Sequence, residues 1–195
     1  MLTEVKRGVL FTVVTMVLLG GGYHLALWAV GRVLFPAQAE GSLVRRSDGT
    51  VVGSRLIAQA FTKPEYFHPR PSAVDYNAAS TGGSNYGPSN PDHLKAVRDR
   101  LDAAMQLEGA AAGRVPSELV TTSGGGLDPH IPPAAAALQA PRVARARGVP
   151  VERVQELVRS RTEMPALGFL GRERINVLEL NLALDESVGS AAASH

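Results

Sequence analysis

The 195-residue chain contains no cysteine. That absence excludes disulfides, thiolate metal ligands and a cysteine nucleophile, so outside a reducing compartment the fold must hold by packing alone. An excess of one charge is also missing. The chain has 20 basic against 18 acidic residues, and after Arg32 the count is 17 against 17. Such a neutral surface has no long-range field to steer it onto nucleic acid or anionic lipid. No G-x-x-x-x-G-K-[ST] loop is present, which removes the usual phosphate cradle. The histidines His24, His68, His93, His130 and His195 are scattered and form no H-E-x-x-H pair, so no metal site is expected.

Charge is absent altogether from Gly8 to Gly31. At about 1.5 Å per helical residue this stretch spans roughly 36 Å, enough to cross a hydrocarbon core of about 30 Å. It predicts one transmembrane helix over residues 8–35, after a short cytoplasmic N-terminus at 1–7. A cleaved signal peptide is the competing reading, since Lys6 and Arg7 form a basic start and Ala37-Gln38-Ala39 fits the cleavage pattern. The apolar run exceeds the 7 to 15 residues of a signal core, and Arg32 and Pro36 intervene, which favours a retained anchor. With Lys6 and Arg7 inside, residues 36–195 are expected outside the cytoplasm. Gly20, Gly21 and Gly22 would allow close helix approach, and His24 is an ionisable group within the span. A passive tether needs neither, so this helix either packs on a larger membrane partner or places His24 near the interface beside Tyr23 and Trp28.

The remainder predicts a single soluble α+β domain. Residues 41–59 suggest two short strands around the turn Ser47-Asp48-Gly49, followed by a helical turn at Arg55 to Ala60. About thirty residues rich in Pro, Gly, Asn and Ser follow. Tyr66, Phe67, Tyr76 and Tyr86 recur through them, which predicts an ordered loop packed by its own rings. Asn85-Tyr86-Gly87-Pro88 is turn chemistry, with Asn85 a structural or docking residue. Asn90 then caps a helix with Pro91 at its first position, Asp92 at its positive end, and Gly109 as its stop. Leu94, Val97, Leu101, Met105 and Leu107 supply an apolar stripe. Further helices are expected from Pro133 to Arg147, broken or kinked at Pro141, and from Pro150 to about Arg161. Ile175 to Leu184 alternates like a strand, with a tail that could be helical.

Between these lies TTSGGGLDPHIPP, residues 121–133. Ser123, Asp128 and His130 are the residue types of a hydrolytic triad, and a membrane-tethered hydrolase using Ser123 and His130 is one reading. However, Ser123 does not stand in a G-x-S-x-G elbow, and the three residues are compressed into eight positions. Gly124, Gly125 and Gly126 could form an anion-binding nest. The prolines favour a rigid turn feeding a helix, with Asp128 accepting backbone N–H bonds and His130 satisfying local polar groups.

Taken in order, LFPAQAEGS, GTVVGSRLIAQAF, YFHPRPSAVDYNAAS, GGSNYGPSNP, VPSELVTTSGGGLDPHIPPAAAALQAPRVARARG and INVLELNLAL resemble the C subunit of the Kdp potassium-transporting ATPases (KdpC). Gly125 stands where that family's pattern has serine, and Tyr86 where leucine is usual. The resemblance implies a non-catalytic accessory subunit of a high-affinity, ATP-driven potassium importer in the cell membrane. Its partners would be a channel-like A subunit, a P-type ATPase B subunit and a small F subunit. The implied role is to stabilise assembly and to act as a catalytic chaperone that raises the ATPase subunit's affinity for ATP. It also implies a nucleotide contact made by Ser123, Gly124, Gly125, Gly126 and Gln139. The chain itself lacks the D-K-T-G phosphorylation motif of such pumps.

Overall fold

The structure, a computed structural model, describes residues 1–46 and 48–188. Ser47, the first residue of the expected turn, and 189–195, which include His195, lie outside the described residues. The chain divides into two compact units, residues 1–52 and 53–195.

The first unit is a continuous 33-residue apolar helix, Leu2–Leu34, with a short tail. It comprises α1 (Leu2–Thr15), a π-helical stretch Met16–Tyr23, and α2 (His24–Leu34). It starts six residues before the expected span at Gly8, and its first turns carry an exposed i,i+3 ion pair between Glu4 and Arg7 at 3.0 Å. The wide π turns fall on Gly20, Gly21 and Gly22, where side chains contribute least to holding the α-helix. The helix stops at Phe35, which leaves helical geometry ahead of Pro36. A single turn, α3 (Pro36–Ala39), follows, and then β1 (Leu43–Arg45) pairs with β2 (Val51–Ser54) as expected. Asp48 Oδ1 accepts from Thr50 N–H at 2.8 Å and shapes the turn.

In the second unit, Arg55 to Ala60 does not form the expected helical turn. It makes one hydrogen-bonded bend, Ile57 N–H to Ser54 O, and then runs extended, with Ala58 N–H donating to Leu127 O. Helix α4 (Pro91–Glu108) matches its sequence signals. Asn90 Oδ1 accepts from the Asp92 and His93 N–H groups, and Gly109 closes the helix in the left-handed conformation. Its apolar stripe is less buried than the periodicity suggests: no residue of α4 is fully buried, and Leu94 and Leu107 are exposed. The helix packs at the periphery.

The core lies between α5 (Pro133–Arg147), α6 (Val151–Ser160) and α7 (Val177–Val188). Ala135, Ala136, Ala140 and Ala144 of α5 are small enough for close approach, and Val143, Val154, Val158, Leu180 and Leu184 fill the space around them. Of the break or kink expected at Pro141, the break does not occur; α5 runs through it, with Pro141 on the exposed face. Burial of five α5 residues on the core side outweighs the lost backbone bond.

The expected strand at Ile175 to Leu184 is only β4 (Ile175–Asn176), after which α7 begins. Burial of Val177, Leu180, Asn181 and Leu184 follows helical spacing, which resolves the ambiguous pattern. β4 pairs antiparallel with β3 (His130–Ile131), His130 opposite Asn176 and Ile131 opposite Ile175. Strand β3 was not anticipated, since only two residues pair. Between α6 and β4 the chain makes a hairpin, closed at its base by reciprocal backbone bonds between Glu163 and Arg174.

Candidate functional site

The segment from Lys63 to Arg70 has no helix or strand of its own, yet Phe67 at its centre is fully buried. Its backbone groups therefore need partners, and side chains of α5 and α7 provide them. Asn181 Oδ1 accepts from Phe67 N–H at 2.8 Å, and its Nδ2 donates to Phe67 O at 2.9 Å. Gln139 repeats this one residue on: Oε1 accepts from His68 N–H at 2.7 Å, and Nε2 donates to His68 O at 3.1 Å. Two amide side chains thus imitate the edge of a strand.

Arginines extend the frame. Buried Arg142 donates to the Pro64 and Tyr66 carbonyls, to Gln139 Oε1 and, from Nε, to Glu108 Oε1 at 3.0 Å. Arg147 donates to Glu65 O at 2.8 Å and Asp185 Oδ1 at 2.7 Å, and its guanidinium lies 5.0 Å from the Tyr66 ring centroid. The Tyr66 hydroxyl donates to Asp185 Oδ2 at 3.1 Å. Sequence reading missed Asn181, Arg142, Arg147 and Glu108 entirely. Asn181 stood in an apolar run, where a buried amide implies a backbone partner. The rings of the long loop pack as expected at Phe67, which is in the core, and at Tyr66, whose ring lies 5.5 Å from that of Phe61, and these polar pegs add to them.

The frame borders a cavity of about 320 Å³ lined by Phe61, His68, Arg100, Leu107, Glu108 and Gln139, among others. Burial pushes the Glu108 carboxyl above its ordinary range, against the pull of Arg142. Burial likewise holds the His68 imidazole below its ordinary value, with the Arg142 charge adding to the effect.

The residues of TTSGGGLDPHIPP form a second cluster. Asp128 Oδ1 accepts from His130 N–H at 3.0 Å and lies 3.5 Å from His130 Nδ1, while Oδ2 accepts from Arg70 at 3.2 Å. Burial opposes ionisation of Asp128, but the bonds from His130 and Arg70 outweigh it and leave the carboxyl below the usual range. Ser123 is buried and its Oγ accepts from Asp128 N–H at 3.5 Å; among the described residues no hydrogen bond joins Ser123 to His130. The arrangement is a turn clamped by Arg70, with the Ser123 hydroxyl engaged by the Asp128 backbone. Arg70, 58 residues earlier, carried no local signal.

The glycines pack against the preceding loop. Gly82 N–H donates to Gly125 O, Ser123 N–H donates to Pro71 O, and a Cβ on Gly126 would stand 2.7 Å from Val74 Cγ2. Gly126 also has φ +70°, so glycine is required there twice over. Among the described residues no hydrogen bond connects Gln139 with Ser123 to Gly126. Asn85 adopts a left-handed backbone at φ 53°, and Asn90 is the α4 cap. In the first unit, Gly20 and Gly21 have open space around a notional Cβ, and His24 Nδ1 donates to Leu19 O at 2.7 Å.

The family described as "KdpC: K+-transporting ATPase, c chain" matches residues 5–186. A potassium-transporting ATPase KdpC subunit from Polaromonas naphthalenivorans is 55% identical over 180 residues, covering 91% of each chain. KdpC subunits from Geotalea uraniireducens and Geobacter sulfurreducens are 47% and 48% identical, over 94% and 93% of this chain and 97% of each relative.

Proposed function

Because the chain belongs to the KdpC family, the C chain of K+-transporting ATPases, we propose that it is the accessory subunit of a potassium-import pump, anchored by the helix Leu2–Leu34. The observation that carries this reading is the family match over residues 5–186, which takes in the apolar helix and the soluble unit together. Its companions in this reading are a channel-like A subunit, an ATP-hydrolysing B subunit and a small F subunit. The N-terminus lies in the cytoplasm and the domain outside.

The chain performs no chemistry of its own. It stabilises the assembly and raises the affinity of the ATPase subunit for ATP. Clamping of Asp128 by Arg70 and His130, with Ser123 Oγ turned to the Asp128 backbone, supports a scaffold reading of that turn. Engagement of both ends of Gln139 with His68 supports an ATP effect transmitted through the companions, a coupling free energy instead of a shared nucleotide site. Purification of the tagged chain from its native membrane should recover the A and B subunits. A lone monomer would sink the proposal. Steady-state assays of the ATPase with and without the chain should show a higher KM for ATP in its absence, and an unchanged KM removes the chaperone role.

A further inference from the structure

The cavity beside the frame, about 320 Å³ between α4 and the 60–71 segment, lies within the size range that holds small molecules. Phe61, Pro69, Pro71, Leu107 and Leu119 give it apolar walls. Most of its polar groups are engaged by the fold. Gln139 spends both ends on His68, the Tyr76 hydroxyl donates to Arg70 O at 2.9 Å, and Arg100 Nη1 donates to Val120 O at 3.4 Å.

Glu108 is only half engaged. Its side chain is 3% exposed, and Oε1 accepts from Arg142 Nε–H at 3.0 Å. The two Nη atoms of Arg142 are spent on Pro64, Tyr66 and Gln139. Oε2 is buried, and among the described residues nothing donates to it. A buried carboxylate oxygen without a donor is costly, and it calls for a group from outside the chain. His68 adds a second acceptor, because its neutral ring donates from Nε2 to Lys63 O at 3.1 Å and so keeps a lone pair on Nδ1.

The charges around the cavity define what can enter. Arg100 and Glu108 are the two charged residues that line it, about 12 Å apart along α4. Arg142 neutralises Glu108, so that end carries no net charge. Beyond the lining, Lys95 pairs with Asp99, Lys63 with Glu65, and Arg98 is matched by Asp102. A cation at the Glu108 end would meet no net attraction, and an anion would offer no hydrogen to Oε2. We infer that this cavity binds a small neutral molecule, an apolar ring carrying a hydroxyl or N–H that donates to Glu108 Oε2. The assignment does not depend on the companion subunits.

The test titrates the full-length chain in nanodiscs with phenol, toluene, acetophenone, benzylamine and benzoate, while NMR follows the methyl groups of Ala104, Leu107 and Leu119. Phenol should shift these methyls and bind about tenfold or more tightly than toluene, once both are corrected for partition into lipid. In Glu108→Gln the amide must present its oxygen to Arg142 Nε, which puts N–H groups where Oε2 stood. Acetophenone, which only accepts, should then gain on phenol by about tenfold or more, a ratio in which partition cancels between the two proteins. Ala104→Leu fills the cavity and leaves the carboxyl in place; it should weaken phenol about tenfold or more and serves even where Glu108→Gln fails to fold. Equal binding of phenol and toluene would leave Oε2 to a water. Tighter binding of benzylamine or benzoate than of phenol would assign the site to a charged ligand, and shifts indifferent to Ala104→Leu would place the probe elsewhere; each of these overturns the proposal.

Discussion

Asn181 and Gln139 hold Phe67 and His68 as a neighbouring strand would, and this makes them more costly to lose than their size suggests. Replacing Asn181 with leucine keeps the branched shape but strands a buried N–H and C=O at Phe67. Thermal or denaturant unfolding should register a loss of about 3 kcal/mol or more. Protonation acts through two other residues. His68 has a folded pKa below the ordinary 6.5, so as pH falls through 6.5 the unfolded chain takes up the proton first and stability drops. His68→Gln should remove that decline. Asp128 has a folded pKa below the ordinary 3.8; its contribution is present above that value and is lost as pH falls through the folded pKa. Unfolding measured from pH 7 into the acid range should therefore show one loss below pH 6.5 that Asp128→Asn keeps and a second, below pH 3.8, that Asp128→Asn lacks.

Elements show where sequence speaks and where it is overruled. Helix α4 was legible because its signals are local: Asn90, Pro91 and Gly109 act within a few residues of the backbone they satisfy. Helix α6 was legible for the same reason, its apolar positions Val154 and Val158 lying one turn apart. The Ile175–Leu184 stretch was legible only as a strand with a tail that could be helical, because both faces of α7 are partly buried, which blurs a helical pattern into apparent alternation. The clamps Arg70–Asp128 and Arg142–Glu108 join residues 58 and 34 apart, and no spacing rule reaches that far. Pro141 does not end α5 because a breaker acts on one bond whereas the α5 core face acts on five residues. The two neighbours Pro141 and Ala140 make this testable with opposite signs. Exposed Pro141→Ala restores a helical N–H and should raise stability by about 1 kcal/mol or more. Buried Ala140→Leu should lower it by about 1–3 kcal/mol, because the closely approached helices cannot admit a larger side chain. Unfolding midpoints of the two variants should move to opposite sides of wild type.

At the scale of the whole molecule, the decisive quantity is the side of the membrane on which residues 53–188 stand. The helix Leu2–Leu34 has Lys6 and Arg7 near one end and Arg32 near the other. Positive charge inside favours a cytoplasmic N-terminus, and a long following domain crosses largely regardless of its own charge. The second unit has no thiol to oxidise, and the ion pairs Arg142–Glu108 and Arg147–Asp185 tie its helices to each other and to the 63–70 segment's frame. Alkaline phosphatase fused to the C-terminus should accordingly be active in cells, and a fluorescent protein that folds only in the cytoplasm should stay dark at the same position. The two reporters also decide how ATP affinity can be altered. An outside domain never meets cytoplasmic nucleotide, so any change in KM for ATP must pass through the companion chains, and Gln139→Leu should alter it only as far as it loosens the frame around His68. A dark phosphatase and a bright fluorescent fusion would reverse the topology, bring Gln139 and the 123–126 loop into the nucleotide's compartment, and make direct contact the reading to pursue.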